Sequence, residues 1–271
     1  MVVFVGALTY GATGAFFSDT ETSTGNVFTA GSIDLTVDST QHYNNAICVN
    51  GTWQLFGSST PAVDQYPVIG SVCNGSWTLT TLGPTNQFFN FGDVKPGDQG
   101  EDTVSLHISN NPAYACADLV TTGNNENDLI APEIAAGDTS TSTGELAQNI
   151  SFIAWLDNAS TSGAVAGDNI WQAGEKLLQG TTTLSAIIGA TTTLTLADGF
   201  TNGGAPLQGG ATNYIGIFWC AGTITGGPGT LACDGSTMGN QAQTDSATTT
   251  VSFRVVQSRN NASFSCKPQL L

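Results

Sequence analysis

Hydrophobic positions in this chain recur mainly with a period of two, in short runs punctuated by Gly, Pro, Asn and Asp. Such alternation puts one face of an extended strand inward and the other outward. It predicts strands over Ile33–Val37, Ser76–Leu82, Phe88–Phe91, Asp102–Ser109, Cys116–Thr121, Ile150–Leu156, Thr181–Ile188, Thr191–Leu196, Ala211–Cys220 and Thr248–Gln257. Most are rich in Thr, Val, Ile and aromatic residues, which suit a pleated, half-buried surface. The last alternates most clearly, with Val251, Phe253 and Val255 on one face and Ser252 and Arg254 on the other. No long segment follows a helical period, and short helical turns fit only around 143–148 or 178–188. Strands this numerous predict an all-β fold, a jelly-roll-like antiparallel β-sandwich with an extended N-terminal strand and long loop insertions. No charged linker or compositional break divides the chain. The expected organisation is therefore an apolar, extended N-terminal segment over 1–32 and one sandwich domain over 33–271, with 39–84 a loop-rich insertion.

The N-terminal pattern is different in kind. The apolar run from Val2 to Tyr10 is too short for a membrane-spanning helix, which needs about 20 apolar residues. With the small residues Gly11-Ala12-Thr13-Gly14 behind it, the run has the form of the end of a signal-peptide apolar region, although no Lys or Arg precedes Lys95. If it is retained in the mature protein, its best use is a strand buried between subunits. Val3, Val5, Leu8, Phe16 and Phe17 are then the side chains that fill a neighbour's pockets. Each large apolar side chain so buried contributes roughly 1.5–3 kcal/mol. The polar stretch Ser18 to Asn26 then spans the gap between subunits.

Composition narrows the partners. The 271 residues carry five basic side chains (Lys95, Lys176, Arg254, Arg259 and Lys267) against 21 acidic ones, a formal net charge of −16. Phosphate recognition needs clustered Lys and Arg, so the composition argues against nucleic acid and anionic membranes as partners. Charged residues make up only 10% of the chain, and Ser, Thr, Asn and Gly fill the polar role, as suits an extracellular β protein. Asn-x-Ser/Thr sequons at Asn50, Asn74, Asn149, Asn158 and Asn261 are candidate glycosylation sites. Cys48, Cys73, Cys116, Cys220, Cys233 and Cys266 form an even set that favours disulfides. Six cysteines allow about fifteen full pairings. Spacing makes Cys48–Cys73 and Cys220–Cys233 local clasps around Gly/Pro/Ser-rich loops, which leaves Cys116 and Cys266 to pin the C-terminal tail.

Candidate chemistry is sparse. Asp157, Asp168, Asn169 and Glu175 bracket a Ser/Gly/Ala-rich loop whose oxygen ligands would suit calcium if the loop folds back on itself. The other reading of this loop is a surface turn with Asx-type capping. Calcium is the one cofactor the sequence suggests. Glu126, Asp128 and Glu133 form another acidic group, read as a solvated loop. His42 and His107 stand alone, without a His-Glu-x-x-His zinc motif, and no nucleophile elbow or phosphate loop is found. The expectation is a protein that is not an enzyme. Trp53, Trp77, Trp155, Trp171 and Trp219 offer stacking faces for a ligand; Trp155 and Trp219 fall in predicted strands and are expected in the core, Trp53 and Trp77 nearer the surface.

The stretch Ala15-Phe16-Phe17-Ser18-Asp19-Thr20-Glu21, with Thr24-Gly25-Asn26-Val27-Phe28-Thr29-Ala30-Gly31-Ser32-Ile33-Asp34-Leu35 behind it, resembles the mature N-terminus of TasA/camelysin-type secreted proteins, whose signal peptides are processed by a SipW-type peptidase. Val94-Lys95-Pro96-Gly97-Asp98 more loosely resembles that family's turn before a strand. The resemblance implies a β-jelly-roll and, for its fibre-forming members, subunits joined head-to-tail when one N-terminal strand completes the next subunit's sheet. A structural subunit of an extracellular, cell-surface filament is thus the first expectation, its partner being itself and, beyond that, other cell-surface or matrix components. The alternative is a monomeric secreted β-sandwich that binds carbohydrate or a cell-surface partner.

Overall fold

Thirteen strands and two short helices form in a computed structural model that describes residues 33–57, 60–159 and 163–267. The strands are β1 (Leu35–Tyr43), β2 (Ala46–Val49), β3 (Thr52–Leu55), β4 (Trp77–Thr80), β5 (Gln99–Ile108), β6 (Ala113–Asn125), β7 (Ile150–Leu156), β8 (Lys176–Thr183), β9 (Thr192–Ala197), β10 (Thr212–Ala221), β11 (Thr223–Thr225), β12 (Ala232–Asp234) and β13 (Ser246–Gln257). The helices are α1 (Ala131–Ala135) and α2 (Leu146–Asn149). An eight-stranded sheet runs β3-β2-β1-β5-β10-β7-β8, with β4 also paired to β1. A three-stranded sheet, β13-β6-β9, and the β11-β12 hairpin complete the fold, and every ladder is antiparallel. This is an all-β sandwich.

Alternation places the core. Val37, Val104, Leu106, Phe152, Ile215 and Trp219 of the large sheet share one apolar cluster with Ala115, Ala117, Leu119 and Leu194 of the small one. The alternate residues of β7 and β10 form a second cluster, in which Ile153, Trp155, Phe218 and Cys220 pack with Ile224 of β11. β7 is therefore buried on both faces, which explains its nearly unbroken apolar sequence Ile-Ser-Phe-Ile-Ala-Trp-Leu.

Three disulfides staple the sandwich: Cys48–Cys73, Cys220–Cys233 and Cys116–Cys266. These are the pairs that the spacing favours. Cys220–Cys233 ties β12 to β10, and Cys116–Cys266 holds the C-terminal tail on β6 across 150 residues. Stapling of this kind belongs to chains folded in an oxidising compartment. Among the described residues, no helix is long and apolar enough to cross a membrane.

Several elements differ from the pattern-based expectation. β2 and β3 form a hairpin whose turn, Asn50-Gly51, has φ values of 50° and 78°. Positive φ at both central residues is what a type I′ turn requires, and Asn-Gly supplies it. Phe88–Phe91 is not a strand: side chains hold its backbone instead, with Gln41 Nε2 donating to the Phe88 carbonyl and Trp77 Nε1 to that of Gln87. Thr181–Ile188 is divided, since β8 starts earlier, at Lys176, and gives way to a 3₁₀ turn over Leu184–Ile187.

Candidate functional site

The two outer strands of the small sheet are finished differently. On β9, the carbonyls of Thr195 and Leu196 accept hydrogen bonds from Lys176 Nζ at 2.7 and 3.0 Å. A lysine on an edge is a common way to blunt it. β13 pairs with β6 along its whole length, from Ser246 opposite Asn125 to Gln257 opposite Ala113, and has no other strand partner among the described residues. Its core-facing residues Val251, Phe253 and Val255 are only partly buried, whereas Ala115, Ala117 and Leu119 on neighbouring β6 are 1, 2 and 7% exposed. Phe88, buried in the core, lies 6.3 Å from Phe253 between ring centroids, and half-buried Trp77 lies 5.4 Å from Phe88. The tail covers the other face of the small sheet: Phe264 stacks on Tyr114, and Arg254 Nη2 donates to Asp118 Oδ1 and to the Cys266 carbonyl. The donor-strand candidates Val3, Val5, Leu8, Phe16 and Phe17 lie outside the described residues.

The anticipated calcium loop does fold back. Asp157 is fully buried, and its Oδ2 accepts from the backbone N–H of Asn169 at 2.8 Å. Glu175, 6% exposed, accepts from the N–H of Gln172 through Oε2 at 2.8 Å. Asp168 turns away, its oxygens accepting from Ile170 N–H and Gln172 Nε2. Asp157 Oδ1, Asn169 Oδ1 and Glu175 Oε1 are buried without hydrogen-bond partners, but among the described residues no three carboxylates of this loop lie within 4.8 Å of one another. Burial first, and the charges of Glu175 and Asp168, raise the Asp157 carboxyl to about 6. Burial and Asp168 likewise raise the nearby Glu101 carboxyl to about 7.

A second acidic site is one that sequence reading did not assemble. Glu126 follows β6, Glu133 lies in α1, Asp138 follows that helix, Glu145 precedes α2, and Asp245 immediately precedes β13. The β6–β13 ladder begins at Asn125 and Ser246, which brings Glu126 and Asp245 together from 119 residues apart. Oxygens of Glu126, Glu133 and Asp245 lie within 4.8 Å of one another, as do those of Glu126, Asp138 and Glu145. Of the original acidic trio only Asp128 is not in the cluster; its carbonyl accepts from Thr244 Oγ1 instead. Thr244, next to Asp245, sits at φ 62°, a costly conformation for a β-branched residue. Residue 144 must be glycine here, because a Cβ would stand 2.6 Å from Asp245 Cγ. Burial, with the neighbouring carboxylates second, pushes Glu126 up to about 7 and raises Glu145 above its ordinary value.

The remaining sequence candidates scatter. Asn50, Asn74 and Asn261 are exposed, whereas the Asn158 amide is tied on both sides, accepting from Tyr214 N–H and donating to Asn213. Asn149 is half-buried and donates to the Glu145 carbonyl. Trp155 and Trp219 are core residues at 0 and 5% exposure, but so is Trp53 at 5%. Trp53 instead lines a cavity of about 330 Å³ with Tyr43, Tyr66 and Phe91. His107 bridges strands, its Nε2 2.7 Å from Asp38 and its Nδ1 3.2 Å from Thr212 Oγ1. That row has the acid–base–hydroxyl order of a nucleophilic triad. Its residues do not line the aromatic cavity. No family model matches the chain, and no curated protein matches it.

Proposed function

We propose that this protein is the structural subunit of an extracellular filament. It polymerises head-to-tail when the N-terminal segment of one copy adds a strand along β13 of the next. The observation that carries this reading is the β13 edge itself: twelve residues long, without an outer strand partner among the described residues, and with a stripe of half-buried apolar side chains. An added strand would gain a ladder of main-chain hydrogen bonds and cover Val251, Phe253 and Val255. The occupant is a second copy, because Val3, Val5, Leu8, Phe16 and Phe17 carry the complementary apolar side chains. A head-to-tail contact of this kind does not close on itself and so propagates a fibre. Three disulfides suit an extracellular life, and the resemblance to TasA/camelysin-type proteins points the same way.

Electron microscopy of the secreted protein beside a version lacking residues 1–17 tests the reading. Fibres are expected from the full chain and monomers from the truncation. The truncated chain keeps its β13 edge, so a small amount mixed into full-length protein should shorten the fibres. Fibres from both versions would remove the N-terminal strand as the linker. Monomers from both would favour the second reading, a secreted binding module whose aromatic cavity at Tyr43, Trp53, Tyr66 and Phe91 receives a ligand with a flat apolar face, such as a sugar.

A further inference from the structure

We propose that the five carboxylates of Glu126, Glu133, Asp138, Glu145 and Asp245 form a calcium site at the start of β13, with Glu126 as the shared ligand. Acidic residues often gather on surfaces with no ion between them, but this cluster is built otherwise. Three members clamp the local backbone or a hydroxyl. Glu133 accepts from Ile130 N–H at 2.7 Å and from Thr244 Oγ1 at 3.2 Å, and it is fully buried. Asp138 accepts from Ser140 N–H through Oδ1 at 2.8 Å. Asp245 accepts from the N–H groups of Glu145 and Leu146 through Oδ2, and the Glu145 backbone is thereby fixed in place. What these contacts leave over is decisive. Asp138 Oδ2, Glu145 Oε2, Asp245 Oδ1 and both oxygens of Glu126 are buried atoms without a hydrogen-bond partner, and Asp138 as a whole is only 7% exposed.

Buried carboxylate oxygens without donors are costly, and carboxylates this close cannot all remain charged without a counter-charge. The chain places no basic side chain among them. Lys95 pairs with Asp93, Arg254 with Asp118, and Lys176 holds the β9 carbonyls. Arg259 lies past the opposite end of β13, and Lys267 adjoins Cys266, which is bonded to Cys116 near the start of β6, away from Glu126. The ligand set selects the ion. Calcium takes six to eight oxygens at about 2.4 Å, so its ligand oxygens span up to about 4.8 Å. The oxygens of each of the two groups that share Glu126 lie within that limit. Zinc favours nitrogen and sulfur ligands, and magnesium keeps most of its water rather than accept several carboxylates.

The test uses the full secreted chain, stripped with a chelator and then titrated with CaCl₂ alone, followed by calorimetry and thermal unfolding. Calcium at about a hundred-fold excess over Kd should raise Tm by about 5–10 °C. Glu126→Gln and Asp138→Asn should each abolish that rise while leaving the chelated Tm equal to or above that of the parent, because each removes one repelling charge without changing shape. A merely structural role predicts the opposite, a lower Tm in chelator for both variants, and that result would overturn the site. So would the absence of any calcium-dependent heat or Tm change at millimolar Ca²⁺. A calcium response abolished by Asp157→Asn but intact in Glu126→Gln would also overturn it, moving the ion to the 157–175 loop. An equal response to Mg²⁺ would overturn the choice of calcium.

Discussion

The two acidic sites of this sandwich make an instructive pair. In the 157–175 loop, ligand-type residues are close in sequence, and most of their hydrogen-bonding capacity is used locally. Asp168 caps its own turn, Glu175 caps Gln172, and one Asp157 oxygen holds Asn169. In the 126–245 cluster the residues come from five separate places along the chain, yet only this site brings three carboxylates within 4.8 Å of one another among the described residues. Density of acidic residues in sequence thus measures how well a loop can cap itself. Convergence of free oxygens depends on which strand ends meet. Both leave buried oxygens without partners, but the loop spreads them along hydrogen-bonded turns, whereas the cluster, shaped by a ladder, gathers carboxylates from distant positions.

That contrast can be broken most directly at Asp157. Asp157→Ala should destabilise the protein by about 3 kcal/mol, since it orphans the buried Asn169 N–H and removes a fully buried side chain. The loss, measured by denaturant unfolding, should be the same with and without calcium if the loop is held by hydrogen bonds. A smaller effect sharpens the electrostatic side. Asp157 and Glu101 have folded-state values raised to about 6 and about 7. The folded protein therefore keeps protons that the unfolded chain has already released, and the stability they confer is fully present below about pH 4 and is lost as pH rises through about 6 to 7. Chelated protein should accordingly lose stability over that interval, and Asp157→Asn should flatten the part of the slope below about pH 6. The smallest effect is expected at Asp168→Asn. Both of its oxygens serve short local contacts on a part-exposed turn, so the change should stay within about 0.5 kcal/mol in thermal or denaturant unfolding. A larger loss there would mean that the loop depends on the charge of Asp168 and would erase the distinction between the sites.

Legibility in the sequence followed the same division. The strand Thr248–Gln257 was readable because a half-buried strand must alternate, and β13 spans Ser246–Gln257. The cysteine pairs were favoured by their spacing around Gly/Pro-rich loops. Asn50-Gly51 is a hairpin signal, but the short apolar runs beside it, Ala46–Val49 and Thr52–Leu55, are too brief to stand out by periodicity. Phe88–Phe91 carried aromatic residues without a strand: Gln41 takes up the Phe88 carbonyl and Trp77 that of Gln87 just before it, a non-local competition invisible to a window of neighbours. Trp53, expected near the surface, is enclosed by Tyr43 and Tyr66 for the same reason.

By itself, then, the sequence determined an all-β sandwich stapled by disulfides, strongly acidic, with an apolar N-terminal segment unlike the rest. Periodicity, composition and cysteine spacing are local or summed properties, and the chain carries them wherever it goes. Only the tertiary structure decided that β9 is capped by Lys176 while β13 has no outer strand among the described residues. It alone joined Glu126 to Asp245 and separated Asp128 from the carboxylates around them. Those outcomes depend on which strand ends are brought side by side, and pairing between residues more than a hundred positions apart is set by the register of the whole ladder rather than by any stretch of neighbours.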